Sequence, residues 1–230
     1  MNTSPKTSKR TAWLAGASGL IGRELLPLLL QDGRYAQVHV LLRRVVPDLP
    51  RDARVVAHVV DFAALPASLP AVDDVYIALG TTIKVAGSQA AFRAVDFDAV
   101  VHTARAARAA GASRLAIVSA LGADVNSTVF YNRVKGEMQG AVAGLGYESV
   151  QIAQPSLLIG DREALGQPAR PGEVWATRLL GPFMGLVPAS VRPIAARTVA
   201  RALLRATLEG QRGVHVLPSS RLQALGREPA

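Results

Sequence analysis

Apolar residues along the chain fall into two alternating textures. Short dense runs stand at TAWLA (11–15), QVHVLL (37–42), ARVVAHVV (53–60), DDVYIAL (73–79), SRLAIVSA (113–120) and ESVQIA (148–153). Between them lie longer segments whose apolar residues recur every three or four positions: LIGRELLPLLLQ after Gly19, about Gln89 to Ala110, and Phe130 to about Ala143. The dense runs read as strands that are apolar on both faces, and the periodic segments as helices with one buried stripe. Strand-helix alternation of this kind predicts a doubly wound parallel sheet of Rossmann type, about seven strands wide and covered by helices on both sides. Glycines 33, 111, 144 and 146 mark helix ends, and Pro27 should bend the first helix because it removes one backbone hydrogen bond.

From Gln154 the texture changes. Prolines 155, 168, 171, 182, 188 and 193 interrupt any regular alternation, so 154–193 is expected to be a small loop-rich lobe around one or two short helices. A last helix (about Ala195 to Glu209), a strand (Gly213 to Leu217) and a terminal helical turn close the chain. No internal repeat or long linker divides it, so residues 11–230 form one domain behind a polar tail at 1–10.

The first strand, its turn and its helix carry the leading chemical signal. Glycines at 16, 19 and 22 have three separate uses: one allows the turn, one lets a backbone approach a pyrophosphate, and one lets the helix pack close on the strand. The helix N-terminus then offers free N–H groups and the positive end of its dipole to phosphates. The strand-turn-helix is therefore a dinucleotide site in expectation. At the end of strand two, where a carboxylate would accept from the ribose 2′-OH of NAD, the chain has Arg43 and Arg44. Guanidinium groups bind a 2′-phosphate that a carboxylate would repel, which favours NADP(H) over NAD(H).

A second constellation is YNRVK. Tyr131 and Lys135, at i and i+4, share one helix face. A phenol with the ordinary pKa near ~10 is a poor general acid at neutral pH, and a neighbouring ammonium brings such a group into range. Lys135 is also one of two lysines outside the tail. Ser119, at the end of strand five, is placed to hydrogen-bond a substrate carbonyl; Ser127 and Thr128 are alternatives, and a strand-end hydroxyl satisfying backbone is the plain reading.

Composition narrows the partners. There is no cysteine, and the four histidines (39, 58, 102, 215) lack metal-ligand spacing, so no metal is expected. No apolar stretch reaches the ~20 residues of a membrane span, and the tail MNTSPKTSKR lacks the apolar core of a signal peptide, so a cytoplasmic protein is expected. The formal charge of +9 comes mostly from that tail and from the region after Val174, where Arg197, Arg201 and Arg205 line one helix face. With five Phe and no aromatic-basic interleaving, this reads as a solvated face, not a nucleic-acid site.

Taken in order, GASGLIG, ALGTTIKVAGSQAAFRAVDFD, IVSALGAD, FYNRVKGE and QPSLLIGDRE resemble the HTATIP2-like subgroup of atypical short-chain dehydrogenases/reductases, well from Thr11 to about Gly172 and loosely beyond. The resemblance implies a seven-stranded Rossmann sheet with a small C-terminal lobe. It implies cofactor contacts from Gly16, Ser18, Gly19, Leu20, Ile21 and Gly22, the 2′-phosphate at Arg43 and Arg44, and adenine near Asp61 and Phe62. Ribose and phosphates are implied near Leu79, Gly80, Thr81 and Lys84, and nicotinamide near Pro155, Ser156 and Leu158, with Tyr131 and Lys135 also touching the cofactor. Asp96 departs from the pattern, standing where extended members often carry Asn. The activity expected is NADPH-dependent reduction of a small carbonyl-type substrate by a monomer or homodimer, with Ser119, Tyr131 and Lys135 catalytic. The alternative is a cofactor-occupied regulatory or redox-sensing protein without turnover.

Overall fold

The computed structural model describes residues 9–160, 188 and 190–227. Seven strands form one parallel sheet: β1 (Arg10–Ala15), β2 (Tyr35–Leu42), β3 (Val55–Val59), β4 (Asp74–Ile77), β5 (Arg114–Val118), β6 (Ser149–Gln154) and β9 (Gly213–Pro218). Their spatial order is β3-β2-β1-β4-β5-β6-β9, with every pairing parallel. The order reverses direction between β1 and β4. At such a switch point the loops leaving the two strands diverge and open a crevice beyond the carboxyl ends.

Period-two alternation sorts the strand residues onto two cores. Ala12, Leu14, Val38, Val40, Leu42, Tyr76, Ala116 and Ala153 face one side, where they meet α1 (Leu20–Gln31) and α6 (Ala196–Glu209). Trp13, Ala15, Leu41, Val75, Ile77, Leu115, Ile117, Val150 and Ile152 face the other, against α4 (Val100–Ala109) and α5 (Phe130–Ala143). Each helix supplies a stripe at helical spacing, Ile21, Leu25 and Leu29 on α1 and Val134, Met138 and Val142 on α5. The expected boundaries of these elements agree with the observed ones to within two or three residues. Helix α1 runs through Pro27 as one element.

The run expected as one helix from 89 to 110 is more broken. Thr82 and Ser88 each accept a hydrogen bond from the backbone three residues on, at 3.1 and 3.0 Å, so a one-turn helix α2 (Ile83–Ala86) precedes α3 (Gln89–Arg93). Between α3 and α4 the backbone widens into a π turn over Ala94–Ala99. Past the lobe, β7 (Leu158–Ile159) pairs in parallel with β8 (Ile194–Ala195), and α7 (Ser219–Leu225) ends the described chain. The one or two short helices expected within the lobe fall largely on 161–187, outside the described residues.

Candidate active site

The glycine turn is built as its spacing asks. Gly16 has φ +90°, and a Cβ there would lie 2.5 Å from the Ala78 carbonyl oxygen, so the turn is pressed against the end of β4. A Cβ on Gly22 would lie 2.1 Å from the Gly16 carbonyl oxygen, which fixes the helix hard onto its own turn. Gly19 differs: its nearest such contact is 3.3 Å, and no side chain caps the helix that starts after it. The first-turn N–H groups of α1 are thus left for an external acceptor, beside exposed Ser18 and half-buried Leu20. The turn fits a pyrophosphate.

From there the other expected cofactor positions follow the carboxyl edge of the sheet. Arg43 and Arg44 leave β2 exposed, with no ion-pair partner among the described residues. Asp61 is exposed and turns its carboxylate onto the Ala63 N–H at 2.9 Å. Phe62 is buried in the core, and its carbonyl meets His102 Nδ1 at 3.2 Å. Leu79 is half-buried, Gly80 and Lys84 are exposed, and Pro155 is buried. Ser156 donates to the Arg192 carbonyl and lies 2.9 Å from Ser219 Oγ, so its hydroxyl bolts the end of β6 to the chain beyond the lobe. Gly160, just after Leu158, packs on Leu20; a Cβ there would come within 2.8 Å of that side chain. The expected nicotinamide segment and the glycine turn therefore meet.

Helix α5 brings Tyr131, Lys135 and Gln139 along one face, spaced one turn apart. Tyr131 packs its ring on Phe92 with centroids 5.3 Å apart, and its hydroxyl has no hydrogen-bond partner among the described residues. Lys135 is buried and its Nζ lies 2.7 Å from Asp96 Oδ1. The other carboxylate oxygen of Asp96 accepts from the Thr81 N–H at 2.8 Å. The π turn is what carries Asp96 inward to 1% exposure; such turns insert one residue and re-aim a side chain. Ser119 is brought to the same helix but one turn further along: its Oγ accepts from Gln139 Nε2 at 2.6 Å, and Gln139 Oε1 accepts from Gln154 Nε2 at 3.3 Å.

The loop from Ser119 to Val129 is clamped to α5. A Cβ on Gly136 would fall 2.3 Å from backbone atoms of Asp124 and Val125, and the Asp124 N–H donates to the Asn132 carbonyl at 3.1 Å. The alternatives Ser127 and Thr128 serve this loop, with Ser127 Oγ accepting from the Val129 N–H at 3.2 Å and both carbonyls accepting from Arg133. Asn132, Gly136 and Gln139, unmarked in the sequence reading, thus have structural duties. The nearest sequence signal for them is their place inside and just after YNRVKGE.

A family described as NAD(P)H-binding matches residues 16–147. The chain belongs to it. Across 97% of its length it is 32% identical to Protein HTATIP2 of Rattus norvegicus, covering 92% of that protein. It is 32% identical over 93% of both chains to the protein fmp52, named as mitochondrial, of Aspergillus fumigatus. It is therefore an HTATIP2-like member of the atypical short-chain dehydrogenases/reductases. Among solved structures, MoeE5 in complex with UDP-glucose and NAD superposes with a TM-score of 0.67 at 18% identity, over 90% of this chain and 75% of that one. UDP-glucose 4-epimerase of Thermotoga maritima, with UDP-glucose, gives 0.67 at 14% identity over 95% and 84%. At these identities the likeness is one of fold. Among the described residues of this NAD(P)H-binding chain, no helix is long and apolar enough to cross a membrane.

Proposed function

We propose that this oxidoreductase-type protein reduces a small carbonyl substrate at the expense of NADPH. The observation that carries the reading is the placement of the Tyr131 phenol, without a hydrogen-bond partner among the described residues, one turn before a buried Lys135 on the helix bordering the cofactor edge. A bound nicotinamide supplies the hydride. Tyr131 donates the proton to the substrate oxygen, Lys135 places positive charge beside the phenol and holds a cofactor ribose, and Ser119 steadies the substrate oxygen. Because Ser119 Oγ already accepts from Gln139, its own O–H remains available to donate. The exposed pair Arg43 and Arg44 supports preference for the 2′-phosphate, with adenine near Asp61 and Phe62 and nicotinamide near Pro155, Ser156 and Leu158. Residence in the cytoplasm belongs to the same proposal, and the mitochondrial names of the fungal relatives make cell fractionation its test.

One observation favours the second reading, a cofactor-holding sensor. Asp96 neutralises Lys135 within 2.7 Å, which reduces the positive field available to the phenol. A panel of aldehydes, ketones, quinones and nucleotide sugars, followed at the NADPH absorbance band, separates the two. Once a substrate reacts, Tyr131→Phe, which keeps the ring on Phe92, should lower turnover by about 10²- to 10⁴-fold. Wild-type turnover by that variant rejects the mechanism, and tight NADPH binding with no reacting substrate gives the sensor reading.

A further inference from the structure

Asp96 Oδ1 is buried, 2.7 Å from the Lys135 ammonium, yet no hydrogen-bond donor is aligned on it. Its partner oxygen accepts from the Thr81 N–H at 2.8 Å. Both Oδ1 and Lys135 Nζ face the backbone of Gly80: a Cβ built there would come to 3.4 Å from the carboxylate oxygen and 3.9 Å from the ammonium. The absence of a side chain at 80 thus leaves a small opening onto an acceptor and a donor side by side. That opening lies close to the phosphate seat, because Gly16 is pressed against Ala78 and Leu79, the residues just before Gly80. In a dinucleotide the group attached next to the pyrophosphate, away from adenosine, is a ribose with a vicinal diol.

We propose that Asp96 is a cofactor-binding residue, its Oδ1 accepting from a nicotinamide-ribose hydroxyl that in turn accepts from Lys135. A carboxylate only accepts and an ammonium only donates, whereas a hydroxyl does both, so the pair matches a diol better than either charge alone. The inference rests on the nicotinamide-cofactor part of the reading above and adds the acidic partner to it. The competing reading is that Asp96 is only a counter-ion for Lys135.

Asp96→Asn separates them. The Thr81 N–H retains the amide oxygen, which turns the NH₂ toward the opening and leaves it with donors only. Titrations of wild type and variant compare NADPH with 2′,5′-ADP, and NADH with 5′-AMP; the fragments lack the nicotinamide ribose and report any general gain in anion attraction. The full cofactor should lose about tenfold or more in affinity relative to its fragment, the size of one hydrogen bond to a charged group. An unchanged ratio overturns the inference and leaves Asp96 a counter-ion. The double variant Asp96→Asn/Lys135→Met, which buries no lone charge, repeats the test: its ratio should fall below that of Lys135→Met alone, and equality overturns the inference. Failure of the wild type to bind either full cofactor defeats the cofactor reading itself, a result distinct from binding with an unmoved ratio.

Discussion

Each edge of the sheet holds a buried carboxylate among cations and phenols, and the two are finished differently. At the amino edge Asp74 opens β4 and is closed on all sides: Arg10 grips it through two bonds of 2.6 Å, Tyr35 donates to it at 2.8 Å, and Arg114 Nε stands 4.0 Å away. Tyr35 and Tyr76 share a further contact of 2.8 Å between hydroxyls. Burial, with the neighbouring tyrosine and Asp74, pushes the Tyr35 phenol far above its ordinary range, and burial first, then Asp74, does the same to Tyr76. Both therefore stay protonated at neutral pH. At the carboxyl edge Asp96, Lys135 and Tyr131 again combine a carboxylate, a cation and a phenol, but one carboxylate oxygen has no aligned donor and the phenol has no partner among the described residues. A saturated cluster stabilises a fold, and an incomplete one beside an opening is available to a ligand.

The largest effect should come from breaking the saturated cluster. Asp74→Ala leaves Arg10 and the Tyr35 phenol without their acceptor, and a broken buried pair costs about 3–5 kcal/mol, toward the low end here because Arg10 keeps 25% side-chain exposure. That is a fall of roughly 6–12 °C in melting temperature for a chain this size. Cofactor affinity of the folded variant should stay at the wild-type value, since the cluster lies at the opposite edge. A thermal melt and a cofactor titration measure the two halves; a variant that melts normally, or that loses the cofactor while folded, removes the contrast.

The same contrast explains what the sequence could and could not disclose. The strands, the glycine turn and the Tyr131–Lys135 pair are local patterns, written in residues two to four positions apart, and each stands where its spacing places it. In the sequence Asp96 stands out only as a departure, because its partners Thr81 and Lys135 lie 15 and 39 positions away and the π turn that delivers it has no periodic signature. The bond from Gln139 to Ser119 spans 20 positions, and the bonds that close the Asp74 cluster span 64 and 39. Such pairings depend on which strands become neighbours, and that follows only from the assembled sheet.

A middle-sized effect is expected at Arg43 and Arg44, the outer end of the same cofactor edge. Replacing both by alanine removes charge-assisted bonds to a 2′-phosphate, each worth about 1.5–3 kcal/mol, so NADPH should bind at least about tenfold more weakly. NADH, which carries no such phosphate, should be nearly unaffected, and stability without cofactor should hold because both side chains are exposed. Equal losses for the two cofactors in a fluorescence titration would detach the arginines from the 2′-phosphate.

The smallest effect sharpens the comparison by showing that an orphaned buried atom is not by itself a site. His39 on β2 and His58 on β3 meet with Nδ1 and Nε2 2.9 Å apart, and His39 Nε2, like Trp13 Nε1 beside it, is buried with no hydrogen-bond partner among the described residues. No gap like that at Gly80 faces this pair among the glycines of the described chain. Burial first, and then His58, hold His39 below the ordinary histidine range, and burial lowers His58 as well. Depressed histidines are neutral in the folded protein while the unfolded chain takes up protons near pH ~6.5, so stability is full above that pH and declines as the pH falls below it. The denaturant midpoint should therefore drop as the pH falls below about 6.5. His39→Leu/His58→Leu should flatten that limb, while leaving the ratio of NADPH to 2′,5′-ADP affinity as in the wild type, because a pair held between β2 and the edge strand β3 answers to protons and not to the cofactor. A limb unchanged in the double variant assigns the acid sensitivity elsewhere, and a shifted ratio would make the histidines part of the site.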